Sequence, residues 1–163
     1  MISVNERDRG WLRAAIDLSR LSPPSPTRYA VGAIVVDGHT GTALAAGYTA
    51  ETEPHHHAEE VALAKLADRH GGDLRRATMY TSMEPCTTRR SGPAPCADLI
   101  LAAGVGRVVL ALREPPVFAA CVGIRILRAA GVDVVEIGDL GPRVREINAH
   151  VLDRIPERPA ATA

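Results

Sequence analysis

No stretch of this chain is apolar enough, for long enough, to cross a bilayer as a helix. The first ten residues, MISVNERDRG, lack the apolar run of a secretory signal. The expectation is a soluble, cytoplasmic protein with no membrane partner. Excess charge is missing too: 19 Lys+Arg balance 19 Asp+Glu. A neutral chain has no broad field to attract a phosphate backbone, so nucleic acid is not an expected partner. Cysteine is scarce, and its odd count of 3 argues against a disulfide framework and for reduced thiols. Internal repeats are absent, and no linker is long enough to divide two domains. The 163 residues suffice for one buried core. One domain is expected over 1–155, with a disordered tail over 156–163.

Hydrophobic spacing sets out the elements. Trp11, Leu12, Ala15, Ile16 and Leu18 recur near helical spacing over 5–21. Ser22-Pro23-Pro24-Ser25-Pro26 stops that helix, because proline lacks a donor and restricts the residue before it. Strands over 31–36 and 44–49 flank the turn signal Asp37-Gly38 and read as a hairpin. A helix over 57–70 ends before Gly71-Gly72. Strand 77–82, helix 95–103, strand 107–112, helix 118–130 and strand 132–137 then alternate, which implies parallel pairing through right-handed crossovers. A last helix over 142–155 opens on Pro142 and presents Val144, Ile147, Val151 and Ile155 as one buried stripe.

The chemistry concentrates in His57-Ala58-Glu59, Pro85-Cys86 and Cys96. One imidazole and two thiolates give a metal three protein ligands, which leaves tetrahedral zinc one open position for water. A carboxylate two residues from the histidine suits the general acid/base that such a water needs. His57 and Glu59 converge only at an irregular helix start, since ideal helical positions two apart face differently. His55 and His56 are read as loop residues at the entrance. Glu60 is a first-turn carboxylate complementing the helix dipole. Cys86 follows a strand, and the carboxyl ends of parallel strands are where open α/β sheets place their sites. Cys121 has no such company and is read as a core cysteine of helix 118–130.

On these motifs the chain resembles the cytidine deaminase-like superfamily of zinc-dependent enzymes. Within it, the chain is most similar to the pyrimidine deaminase domain of bacterial riboflavin biosynthesis. That domain also carries a long loop between its cysteines and a proline-rich approach to the second, here Gly92-Pro93-Ala94-Pro95-Cys96. The similarity continues through 102–115, at Gly123-Ile124 and over 127–132. Arg28-Tyr29-Ala30 stands where those enzymes usually carry Asn-Pro, and the inter-cysteine loop reads Thr87-Thr88-Arg89-Arg90-Ser91 instead of holding a histidine and Gly-Arg-Thr.

The resemblance implies an α/β fold: a three-layer α/β/α sandwich around a five-stranded mixed sheet. It implies Zn²⁺ on His57, Cys86 and Cys96, with Glu59 moving protons. It implies hydrolytic deamination of an amino-pyrimidine nucleotide or nucleoside, foremost a riboflavin-pathway diaminopyrimidine nucleotide. The alternative is a cytidine/deoxycytidylate-type or secondary-metabolite nucleobase. Ala58 is small enough for its N–H to approach the base, the Glu84 carbonyl faces the exocyclic amine, and Arg28 stands at the sugar side. Arg89 and Arg90 either receive a phosphate or belong to a solvated loop. A structural zinc module is the rival outside enzymology, and it would need a fourth protein ligand. A homodimer or larger assembly is expected, as the family buries helices near its site. Leu99, Ile100, Ile124, Ile126 and Leu127 would supply the surplus apolar surface.

Overall fold

The computed structural model describes residues 4–69, 72–90, 92 and 94–154. Its strands are β1 (Gly32–Val36), β2 (Ala43–Tyr48), β3 (Thr78–Met83), β4 (Arg107–Leu112) and β5 (Asp133–Glu136). They form one sheet in the order β2-β1-β3-β4-β5. The β1–β2 hairpin is antiparallel, β1 also pairs antiparallel with β3, and β3–β4 and β4–β5 are parallel. The helices are α1 (Glu6–Ser19), α2 (Ala58–Arg69), α3 (Cys96–Ala103), α4 (Gly123–Ala129), α5 (Gly141–Ile147) and α6 (Ala149–Leu152). The mixed sheet and three layers are those expected.

Alternation along the strands divides the core in two. On one face Ala33, Val35, Met79, Val108 and Leu110 meet Ala58, Ala62 and Leu66 of α2, Ala97 and Ile100 of α3, and Ile124 and Leu127 of α4. On the other, Ile34, Val36, Tyr80, Val109 and Ala111 meet Leu12, Ala15 and Ile16 of α1, Val144 of α5 and Val151 of α6. β3 is buried at all its positions because it lies at the sheet centre with both faces covered. Gly47 lets α2 settle onto β2: a Cβ there would lie 2.7 Å from the Ala58 carbonyl oxygen and 2.8 Å from the Ala62 nitrogen. The start of α2, where His57 and Glu59 stand, is thereby held against the sheet.

Three expectations are corrected. The helix expected over 118–130 begins only at Gly123. Its start is set by a distant residue: Glu84 Oε1 accepts the Ile124 N–H at 3.0 Å, and Thr87 Oγ1 accepts the Val122 N–H at 3.3 Å. Cys121 therefore lies in a loop and is only half-buried; its thiol donates to the Pro85 carbonyl at 3.3 Å. The helix expected over 142–155 is broken at Asn148, which joins α5 to α6. Asn148 is fully buried and its side chain is committed elsewhere: Oδ1 accepts the Ala30 N–H at 2.7 Å, and Nδ2 donates to the Ala30 carbonyl at 3.1 Å. Finally, the surplus apolar surface expected for assembly is mostly used within the chain. Ile100 and Leu127 are fully buried and Ile124 is 5% exposed, so of those five residues Leu99 and Ile126 alone keep partly exposed apolar surface. Ile155 and the tail 156–163 lie outside the described residues.

Candidate metal centre

Two helix starts and one strand-end loop meet at a single point. His57 directly precedes α2, and its carbonyl accepts the Val61 N–H at 3.0 Å, the first helical bond. Cys96 opens α3 after Pro95. Cys86 lies in the loop that leaves β3. Among the described residues, His57 Nδ1, Cys86 Sγ and Cys96 Sγ form one group within 4.8 Å of one another. Nδ1 lies 3.5 Å from each sulfur. A tetrahedron with Zn–S of about 2.3 Å and Zn–N of about 2.0 Å spaces its ligands roughly 3.5 Å apart. The donor set and its spacing therefore fit zinc, with three protein ligands among the described residues.

The electrostatics suit a cation. Cys86 accepts from Cys96, whose N–H also points at it from 3.3 Å, and its thiol pKa falls well below the usual value. Cys96 is pushed up, first as the donor in that pair and then by burial. Burial alone would lower the His57 pKa; its hydrogen bond to Cys86 and the thiolate charge outweigh this and raise it. A cation bound here would displace any protons that these groups carry.

Glu59 is 3% exposed, and burial raises its pKa, with the nearby Cys86 charge adding to the shift. The Thr81 hydroxyl donates to Glu59 Oε1 at 2.9 Å. Thr81 was not singled out in the sequence; its one signal is a hydroxyl near the carboxyl end of a parallel strand. Glu84 is buried, and its carboxylate accepts the Glu114 N–H at 3.1 Å as well as that of Ile124. Its side chain therefore braces the loop that carries Cys86 against β4 and α4. Glu114, also missed, has its pKa pushed up to about 7 by burial. It lines a cavity of about 480 Å³ with Glu84 and Cys121, and His57, Glu59, Cys86 and Cys96 are not among that cavity's lining residues. Ala58 is fully buried at the start of α2.

The arginines divide. Arg89 is no solvent-facing phosphate receptor: its side chain is 2% exposed and paired with Glu60 at 2.6 Å. The same guanidinium donates to the carbonyls of His55 at 2.8 Å and Ala94 at 3.3 Å, so most of its donors are taken. Arg28 donates to the Pro54 carbonyl and braces the loop ahead of α2. Arg90 is exposed and makes no hydrogen bond or ion pair among the described residues. His56 bonds Thr52 through Nδ1 at 2.8 Å, and His55 is exposed. Glu60 does more than complement a dipole. Besides Arg89, Oε2 accepts the His57 N–H at 3.2 Å, a reach back to the residue before the helix.

Comparison with known proteins agrees with this geometry. The cytidine and deoxycytidylate deaminase zinc-binding region matches residues 5–112. A diaminohydroxyphosphoribosylamino-pyrimidine deaminase of Schizosaccharomyces pombe is 35% identical over 77% of this chain and 31% of its own length. The riboflavin biosynthesis protein RibD of Aquifex aeolicus is 34% identical over 98% of this chain and 43% of its own. The chain thus spans less than half the length of these curated relatives. Among solved structures, the Aspergillus oryzae Rib2 deaminase superposes with a TM-score of 0.77 at 29% identity, covering 90% of this chain and 93% of that one. The dCMP deaminase of cyanophage S-TIM5 gives 0.63 at 27%, covering 83% and 100%. The match over 5–112 takes in α1, the metal-ligand segments and the strands that carry them, and this chain belongs to the family of the cytidine and deoxycytidylate deaminase zinc-binding region.

Proposed function

We propose that this chain is a zinc-dependent hydrolytic deaminase of an amino-pyrimidine nucleotide, of the diaminopyrimidine type used in riboflavin biosynthesis. The observation that carries the reading is the His57–Cys86–Cys96 group with the buried carboxyl of Glu59 beside it. The relatives favour the same substrate class: the Schizosaccharomyces pombe and Aquifex aeolicus proteins bear riboflavin-pathway names, and the Aspergillus oryzae deaminase has a structure with DARIPP. A cytidine/deoxycytidylate-type substrate is the second reading. It is favoured by the likeness to the cyanophage enzyme, which has a structure with dCMP and dUMP, and by an inter-cysteine loop whose Arg89 is turned inward.

Zinc on these ligands would leave its fourth position to a water and lower that water's pKa to about 7. Glu59 takes a proton from the water and delivers it to the ring nitrogen. The water oxygen bonds to the amine-bearing carbon. Glu59 then takes the remaining proton of the added hydroxyl and passes it to the amine; the carbonyl forms as the C–N bond breaks and ammonia leaves. Thr81 orients Glu59 throughout. The Ala58 N–H and the Glu84 carbonyl are assigned to the base and its exocyclic amine, and Arg90 is the exposed cation left for a phosphate.

The test is ammonia release by the zinc-loaded protein across diaminopyrimidine ribosyl phosphate, dCMP and their dephosphorylated forms. The phosphorylated diaminopyrimidine is expected to turn over fastest. Glu59→Gln is expected to keep its zinc while losing about 10²–10⁴ in rate. Turnover by Glu59→Gln within a few-fold of the parent would remove Glu59 from the chemistry, and preference for dCMP would select the second reading.

A further inference from the structure

One side chain touches all three segments that carry the metal ligands. Arg89 stands three residues after Cys86. Its Nη1 donates to the carbonyl of Ala94, two residues before Cys96. Its Nη2 donates to the carbonyl of His55, two residues before His57. Nη2 also reaches Glu60 Oε2 at 2.6 Å, and that oxygen accepts the backbone N–H of His57 at 3.2 Å. The guanidinium is 2% exposed and Glu60 is 13% exposed, so the pair is shielded from competing water. Gly92 closes the fourth side: a Cβ there would lie 2.5 Å from Arg89 Cζ, and the residue's φ of +96° already excludes most side chains. Only a planar fork with several donors serves acceptors in these different directions at once, so lysine is no substitute.

We infer that Arg89, held by Glu60 and roofed by Gly92, is a positioning residue that sets the spacing of the three metal ligands. This rests on the metal reading above. The surrounding shell of a metal site fixes where its ligands point, and loss of such a partner typically costs about 10–100-fold in metal affinity. A cation close to a zinc site has a second, opposite effect. Through space its charge repels Zn²⁺, so removing it would tighten binding if charge were all that mattered. Position and charge therefore predict changes of opposite sign at the same residue.

Zinc dissociation constants, measured by competition with a chromophoric chelator, separate the two for the parent, Arg89→Gln, Arg89→Lys and Gly92→Ala. Arg89→Gln is expected to weaken zinc about 10–100-fold. Arg89→Lys keeps the charge but loses the fork, so it is expected to recover little of that affinity. Gly92→Ala leaves every charge in place and displaces the guanidinium, so it is expected to weaken zinc in the same direction. It carries the argument if the arginine variants do not fold. Cobalt substituted for zinc is expected to show altered ligand-field bands in each variant, reporting distorted geometry. Zinc bound by Arg89→Gln as tightly as by the parent, or more tightly, overturns the inference; so does full affinity in Gly92→Ala. A parent that binds no zinc is a different result, and it would overturn the metal reading itself.

Discussion

At Thr81 a single hydroxyl proton has two acceptors: Glu59 Oε1 at 2.9 Å and the Met83 carbonyl at 3.1 Å. Only one can be served at a time. When Glu59 is ionised, the proton belongs to the carboxylate. When Glu59 is protonated, its own O–H can donate to Thr81, whose proton turns to Met83. One buried hydroxyl therefore satisfies both states of a group that, in the mechanism proposed above, alternates between them. Thr81→Val keeps the shape and removes this device. The bond to the ionised form holds the Glu59 pKa down, so its loss raises that pKa further. In the proposed mechanism the ionised form acts first, so the acid limb of the pH–rate profile should move to higher pH. A hydrogen bond to a charged group is worth about 1.5–3 kcal/mol, so kcat should fall roughly 10–100-fold with zinc content unchanged. An unmoved profile with kcat near that of the parent would refute this role.

Among the elements, Asn148 shows why a helix ends where periodicity says it should continue. Val144 and Val151 keep the helical spacing and are buried as expected. The break between them comes from Asn148, whose side chain bonds both backbone groups of Ala30, 118 residues away. Asn148→Ala would leave a buried N–H and a buried carbonyl unpaired at about 1–3 kcal/mol each. A loss of roughly 3 kcal/mol should lower the melting temperature by about 6–12 °C in a chain of this size. Unchanged melting would mean that water replaces the amide. The same contrast marks what was legible in the sequence. Elements with strong periodicity, such as α1, the β1–β2 hairpin and β4, were readable because their pattern is local. The spacing of His57, Glu59, Cys86 and Cys96 was readable because ligand chemistry restricts residue type. The late start of α4, the loop position of Cys121 and the inward turn of Arg89 were not. Each depends on a hydrogen bond to a residue 29 to 40 positions away, which no local pattern encodes.

Across the whole molecule, one buried carboxylate joins the first helix to the sheet. Asp8 completes the capping box of α1 with Asn5, then accepts the Tyr80 hydroxyl of β3 at 2.8 Å and two bonds from Arg107 of β4, at 2.7 and 3.0 Å. Arg107 also bonds Asp133 of β5 at 3.1 Å, so a single network runs from α1 across three strands. It stands on the face opposite α2, α3 and α4, the helices around the metal centre, and it fastens the helix that covers that face. Burial alone would raise the Asp8 pKa; the Arg107 and Tyr80 hydrogen bonds and the arginine charge overcome this and hold it below the 3.8 of a free side chain. With the folded value depressed, the unfolded chain takes up this proton first as pH falls. The stabilisation is therefore present in full above 3.8 and is lost as pH drops through the folded value. Removing one partner of a buried pair costs about 3–5 kcal/mol, because the other is left uncompensated. Asp8→Ala should lose about that much stability at neutral pH and show a flatter decline in acid than the parent. Denaturant unfolding of both proteins at neutral pH and at successive steps below 3.8 measures this. Parallel acid profiles would mean that another carboxylate governs the acid unfolding of the fold.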